Sequence, residues 1–127
     1  MRDHPAAGEK PLIWAGSSKR ALLKFPAKVV HGIGAALSYA QYGETHEAMK
    51  AWKGQGPGVL EIVEDFDRAT YRAVYAVRFR SAVYVLHCFQ KKSPSGVRTA
   101  KHDVEFVEKR LRDARADYEG RYGKGAA

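Results

Sequence analysis

The pattern of apolar positions changes period twice along the chain, and the changes mark out the elements. Val29, Ile33, Leu37 and Ala40 recur at i, i+4, i+8 and i+11, which places them on one face of a helix. Pro26 suits the first turn of that helix, where its missing N–H costs nothing, and Gly43 stops it after about Tyr42. Gly32 and Gly34 weaken it by roughly 1 kcal/mol each relative to alanine, and close packing against a second helix would account for them. That second helix is short, capped by Ser17 or Ser18 and running to about Phe25. Ahead of it, residues 11–15 form an apolar run fit for a first strand. Residues 43–58 hold four glycines and a proline and are expected to be a loop that includes Trp52.

After this loop the period falls to two. Residues 59–66 alternate imperfectly and are rich in Val, Ile and Leu. Residues 69–79 alternate strongly, with Tyr71, Ala73, Tyr75, Val77 and Phe79 on one side and Arg72, Val74, Ala76, Arg78 and Arg80 on the other. Residues 83–90 are almost wholly apolar, as in a central strand covered on both faces. The short connections Asp67-Arg68 and Arg80-Ser81 predict an antiparallel meander. Residues 91–98 contain Pro94 and Gly96 and read as a loop. The helical period returns in Val104, Val107, Leu111, Ala114 and Tyr118, behind Thr99 as N-cap.

The order β-α-α-β-β-β-α predicts an α+β protein, a small curved antiparallel sheet with helices packed on one face. One domain is expected over residues 11–118, with a flexible leader, 1–10, and a flexible tail, 119–127. Residues 1–11 carry no apolar stretch behind their charges, so no secretory signal is expected. No apolar run reaches the roughly 20 residues of a membrane span. The single cysteine, Cys88, has no partner for an internal disulfide or a metal pair, and a cytoplasmic protein is expected.

Charge adds what periodicity cannot. The net charge is +8, and eight of the 22 basic residues lie between Arg68 and His102: Arg68, Arg72, Arg78, Arg80, Lys91, Lys92, Arg98 and Lys101. No Asp or Glu interrupts them, and the 14 remaining basic residues balance the 14 acids. The whole excess therefore sits in one segment, which suits a phosphate backbone or an acidic protein partner. The plainer alternative is a basic surface that only confers solubility.

The joined pattern Thr70-Tyr-Arg-Ala-Val-Tyr75, then Val83-Tyr-Val-Leu-His-Cys-Phe-Gln-Lys-Lys-Ser93 and Thr99, resembles the RelE/HigB toxin superfamily, closest to its phage-derived HigB-like branch. The likeness spans about residues 11–115. It implies a RelE/ParE-like fold and a ribosome-dependent mRNA endoribonuclease that needs no cofactor or metal. It also implies a cognate helix-turn-helix antitoxin as partner, in a toxin–antitoxin hetero-oligomer, with the ribosome and mRNA as targets. In such toxins arginine and lysine side chains do the cutting, and the matching positions here are Arg72 and the pair Lys91 and Lys92. Better-known members carry lysines in the second strand, where this chain has Glu61 and Glu64. A toxin of the same fold without nuclease activity, acting on gyrase or on nucleic acid, is the alternative.

Metal-free RNA cleavage uses the RNA's own 2′-hydroxyl as nucleophile. It needs a base, a stabiliser for the phosphorane charge, and an acid for the leaving 5′-oxygen. Arginine suits the second role, because its fork bonds phosphate oxygens bidentately while it hardly loses its proton. Lysine crowded by other cations gives up its proton more readily. Arg72 is thus the candidate phosphate clamp, with Lys92 or Lys91 in proton transfer. The plainer reading pairs Arg72 with Glu61 or Glu64 and leaves the lysines as a solvated strand end or an antitoxin contact. His102, near the basic loop, is the best histidine candidate, whereas His87 reads as a hydrogen-bonded core residue. Arg78, Arg80, Arg98 and Lys101 are candidate RNA-backbone contacts, and Trp52 either stacks a base or packs. His4, His31 and His46 show no ligand spacing with one another, so no zinc site is expected.

Overall fold

The most apolar run in the chain becomes the strand on which everything else is assembled. In a computed structural model, which describes residues 8–91 and 100–125, the elements are β1 (Leu12–Trp14), α1 (Ser18–Leu23), α2 (Ala27–Gln41), β2 (Met49–Ala51), β3 (Val59–Phe66), β4 (Ala69–Ala76), β5 (Val83–Lys91) and α3 (Lys101–Tyr122). The sheet order is β1-β5-β4-β3-β2. β3, β4 and β5 form the expected antiparallel meander, with Phe66 opposite Ala69 across a two-residue turn. Asp67 and Arg68 both take positive φ, 50° and 66°, which is the twist a tight hairpin turn demands.

The α+β class holds, and four particulars differ from the sequence expectation. A short strand, β2, pairs antiparallel with β3 inside the predicted loop; three residues are too few to show a period. β1 pairs parallel with β5, so the sheet is mixed. The helices lie on both faces of the sheet, because the alternating residues of β4 enter two separate cores. Ala73 and Tyr75 pack with Leu22, Val29, Ile33 and Leu37 of α1 and α2, whereas Val74 and Ala76 pack with Val107, Leu111, Ala114 and Tyr118 of α3. Finally, α3 runs four residues past Tyr118, and Ala100 is its N-cap with no side-chain cap bond. Thr99, the expected cap, lies outside the described residues.

The helical stripes behave as predicted, except that Val104 at the start of α3 is only half-buried. Val29, Ile33, Leu37 and Ala40 of α2 are buried, as are Val107, Leu111, Ala114 and Tyr118 of α3. Gly32, however, faces Glu64 of β3: a Cβ there would stand 2.7 Å from Glu64 Oε1. The glycine makes room for a carboxylate, not for a second helix, and a Cβ on Gly34 would meet nothing within 4 Å. No helix among the described residues is long and apolar enough to cross a membrane.

One irregularity in β5 decides the geometry of the site. Val74 stands opposite His87 but Tyr75 stands opposite Val85, so Leu86 is an extra residue, a β-bulge. Leu86 and His87 therefore both turn toward α3, and the alternation beyond them is inverted. Cys88 falls in the α1–α2 core and Phe89 in the α3 core.

Candidate functional site

The register fixes which charged residues share a side. Arg72 stands between Val63 and Phe89, and Glu61 opposite Val74. Because Val74 and Phe89 face α3, so do Glu61 and Arg72, and Lys91 follows two residues beyond Phe89, opposite Thr70. Without the bulge, Lys91 would fall on the other face. Arg72 and Lys91 are thus diagonal neighbours on one side of the β4–β5 ladder, a separation of about 7–8 Å between such positions.

Arg72 is ion-paired. Its Nη1 donates to Oε1 of Glu61, and the two side chains are only 17% and 10% exposed. Of the two partners open to it, the structure selects Glu61 because Glu64, three residues on, points to the α2 side beside Gly32. Arg72 Nε is buried with no acceptor among the described residues, so its guanidinium is only partly satisfied. Lys50 of β2 stands directly across from Glu61. Trp52 is 5% exposed, with its ring 6.5 Å from that of Phe89 and its Nε1 also buried without an acceptor. Trp52 is therefore a packed indole under this surface, not an exposed stacking platform, because β2 draws it into the α3-side core.

His87 closes the same face toward α3. Its ring lies between Phe89 and Phe106, with centroids at 4.9 and 5.2 Å and nearly parallel planes. Nε2 is 2.7 Å from Oδ1 of the buried Asp103, and Nδ1 is 3.4 Å from Arg110 Nη1. Arg110 can only donate, so Nδ1 is the acceptor and Nε2–H donates to Asp103. Burial above all, aided by Arg110 and His102 and opposed by Asp103, holds the His87 imidazolium below its ordinary range. Its reading as a hydrogen-bonded core residue agrees with this geometry. His102 is 74% exposed, with Nε2 3.5 Å from Asp103 Oδ1. Cys88, on the α2 side, has its thiol pushed up to about 12 by burial, which suits a core residue and not a nucleophile.

The remaining basic residues divide by position. Arg78 uses Nη2 on the carbonyls of Gln55 and Pro57, the latter at 2.9 Å, and so pins the Gly-rich loop. Gly58 is required there: its φ is +84° and a Cβ would meet Arg78 Cβ at 2.8 Å. A guanidinium committed to loop carbonyls is a structural clamp, so the geometry lends its RNA-contact role no support. Arg80 and Lys101 are exposed. Lys92 and Arg98 lie outside the described residues. Sequence reasoning treated Glu61 only as a possible mate for Arg72. The signal that it belongs to the site was the hairpin register, which places Glu61 and Arg72 on one face once the turn at 67–68 is fixed.

The family described as Phage derived protein Gp49-like matches residues 20–112, well over half of the chain and including every one of these elements from α2 to the first turns of α3. No curated protein and no solved structure matches the chain.

Proposed function

The chain belongs to the phage-derived Gp49-like family, a RelE/HigB-like toxin family often found in toxin–antitoxin systems, and from that premise we propose that it is a toxin acting in the cytoplasm by cutting mRNA on the ribosome. The observation that carries the reading is the half-satisfied Arg72, held beside Glu61 on the face it shares with Lys91. A buried donor without an acceptor costs about 1–3 kcal/mol, and a phosphate oxygen would remove that cost if the pair opened to admit it.

In this reading the Glu61 carboxylate takes the proton from the 2′-hydroxyl, whose oxygen then bonds to phosphorus. Arg72 neutralises the phosphorane charge. Lys91, Lys92 or the exposed His102 gives a proton to the 5′-oxygen as its bond to phosphorus breaks. Glu61 thereby serves where the resembling members use second-strand lysines. A neutralising antitoxin holds the activity silent between uses.

The test is cleavage of a defined message on programmed ribosomes by the purified chain and by Arg72→Ala. The expected result is cleavage by the parent and a loss of about a hundredfold or more in the variant, the usual effect of deleting one charge-stabilising donor. An inert parent that inhibits gyrase instead, or a folded Arg72→Ala that still cuts at full rate, would overturn the reading.

A further inference from the structure

The bulge in β5 leaves a polar group that the sheet cannot serve. Leu86 has no counterpart in β4 and is fully buried, so its carbonyl must find a donor elsewhere. The donor is Arg110 of α3, whose Nη1 lies 3.0 Å from the Leu86 oxygen. Toward β1, the preceding carbonyl, that of Val85, is bound twice. It accepts from the Ala15 N–H at 2.9 Å and from the hydroxyl of the buried Ser18 at 3.1 Å.

The same guanidinium is tied from several sides. Nη1 also faces His87 Nδ1 at 3.4 Å, and Nη2 donates to Ser17 Oγ at 3.1 Å. The Phe106 ring, one turn earlier in α3, has its centroid 5.1 Å from Arg110 Cζ. Gly16 leaves room for the group: a Cβ there would stand 3.1 Å from Nε, and its φ of +52° suits glycine. Three segments far apart in sequence, the turn before α1, the bulge and α3, thus converge on one side chain. Neither Arg72 nor Glu61 is among these partners.

A one-residue slip in a strand sends every side chain beyond it to the opposite face. Were β5 regular from Val85 onward, Val74 would pair with Leu86, and Arg72 with Cys88. Phe89 and Lys91 would then face α1 and α2, away from Arg72. Bulges commonly re-aim a side chain beside a functional site, and here the bulge re-aims Lys91. We propose that Arg110 is a positioning residue: it holds the β5 bulge and thereby keeps Lys91 on the face of Arg72. What Lys91 does there rests on the nuclease reading, whereas the register does not.

The experiment joins cross-strand NOEs to single-turnover cleavage on programmed ribosomes, in the full chain and in Arg110→Lys and Arg110→Ala. Lysine keeps the charge but lacks the planar fork that serves Leu86 and Ser17 together. Arg112→Ala removes one positive charge from an exposed position two residues on and is the control. The parent should show NOEs between Val74 and His87 and between Arg72 and Phe89. Both Arg110 variants should shift them toward Val74–Leu86 and Arg72–Cys88. They should also cut about tenfold or more slowly with half-saturation little changed, because Arg110 holds Lys91 and not the RNA. Methylguanidinium below denaturing concentration should restore register and rate together in Arg110→Ala, and Arg112→Ala should match the parent. Folded Arg110 variants that keep the parent NOEs, or that change register yet cut at the parent rate, would overturn the proposal. Equal slowing by Arg112→Ala would do the same. Should neither variant fold, the parent decides: its Arg110 Nη protons should be slow to rotate and close to Ser17 and His87, and a freely rotating guanidinium would overturn the assignment. A parent that cuts no mRNA, with a register that still shifts in Arg110→Ala, would sink the nuclease reading and keep Arg110 as the holder of the bulge.

Discussion

The two faces of the sheet are made by alternate residues of the same strands, yet they are built to different ends. The side under α1 and α2 is filled by Leu22, Ile33, Leu37, Ile62, Tyr75, Val83 and Val85, all with essentially no exposure. The side under α3 mixes its apolar core with the Arg72–Glu61 pair and the His87–Asp103 bond. Burying ionisable groups costs desolvation that pairing only partly offsets, so an apolar filling would hold the α3 side together as well or better. The difference marks the α3 side as the one whose charged groups stability alone does not account for.

Breaking each face in turn should separate the two. Leu37→Ala removes a fully buried side chain from the apolar face and should cost about 2–5 kcal/mol, read as a lower urea midpoint with the slope unchanged. Whatever protein remains folded should cleave at the parent rate per folded molecule. A folded fraction that has lost cleavage would mean the apolar face also shapes the site.

On the other face the effect should fall on activity. Arg72→Ala should lose about a hundredfold in cleavage, near 3 kcal/mol, and also some stability, because Glu61 is left partly buried without its partner, on the order of 1–3 kcal/mol. Adding Glu61→Gln to Arg72→Ala should restore the stability, since a neutral amide tolerates that position, and should restore no activity. If stability and activity return together, the pair is an architectural bridge and nothing more.

Much of this contrast was legible in the sequence, and the part that was not has a definite cause. The stripes of α2 and α3 and the alternation of β4 carried the class, the element order apart from β2, and the buried faces of the helices. Arg72 and Lys91 stood out by charge in a segment without acids. Two things stayed hidden. β2 is too short, at three residues, to show any period, and the apolar run of β1 does not show which strand it pairs with, so the mixed sheet and the burial of Trp52 could not be read. The bulge at Leu86 inverts the alternation of β5, and a strand apolar at nearly every position gives no sign of a slip. Strict alternation would place His87 with Val83 and Val85, and only the bulge brings it to Asp103.

A smaller effect sharpens the roles within the α3 side. If Lys91 or Lys92 moves a proton, Lys→Arg at that position should keep RNA affinity and slow single-turnover cleavage, because arginine holds its proton at neutral pH. If the pair only attracts phosphate, Lys→Arg should be nearly neutral, and Lys→Gln should weaken binding and flatten its salt dependence. Parent-rate cleavage by both arginine variants would leave His102 as the acid.

The smallest expected effect is a pH dependence carried by His87. Burial is the largest influence on its imidazole, and the Nδ1 acceptor facing Arg110 leaves no place for a second proton. The folded protein thus resists protonating His87, while the unfolded chain takes up that proton near the ordinary value of 6.5. A histidine with a depressed folded value makes the unfolded state bind more protons, so stability is lost as pH falls through 6.5 toward the folded value and is flat above it. The slope cannot exceed about 1.4 kcal/mol per pH unit for one proton. Since the new proton on Nδ1 faces Arg110 in the middle of α3, the same protonation should loosen that part of the helix before the rest of the fold, while Nε2–H keeps its bond to Asp103. Thermal melts between about pH 7.5 and 5.5 should show a steeper decline for the parent than for His87→Gln, whose amide can still donate to Asp103 but does not titrate. Amide exchange around Arg110 in the middle of α3 should accelerate over the same range in the parent alone. Parallel declines in the two proteins would show that His87 contributes packing between Phe89 and Phe106 and no proton linkage.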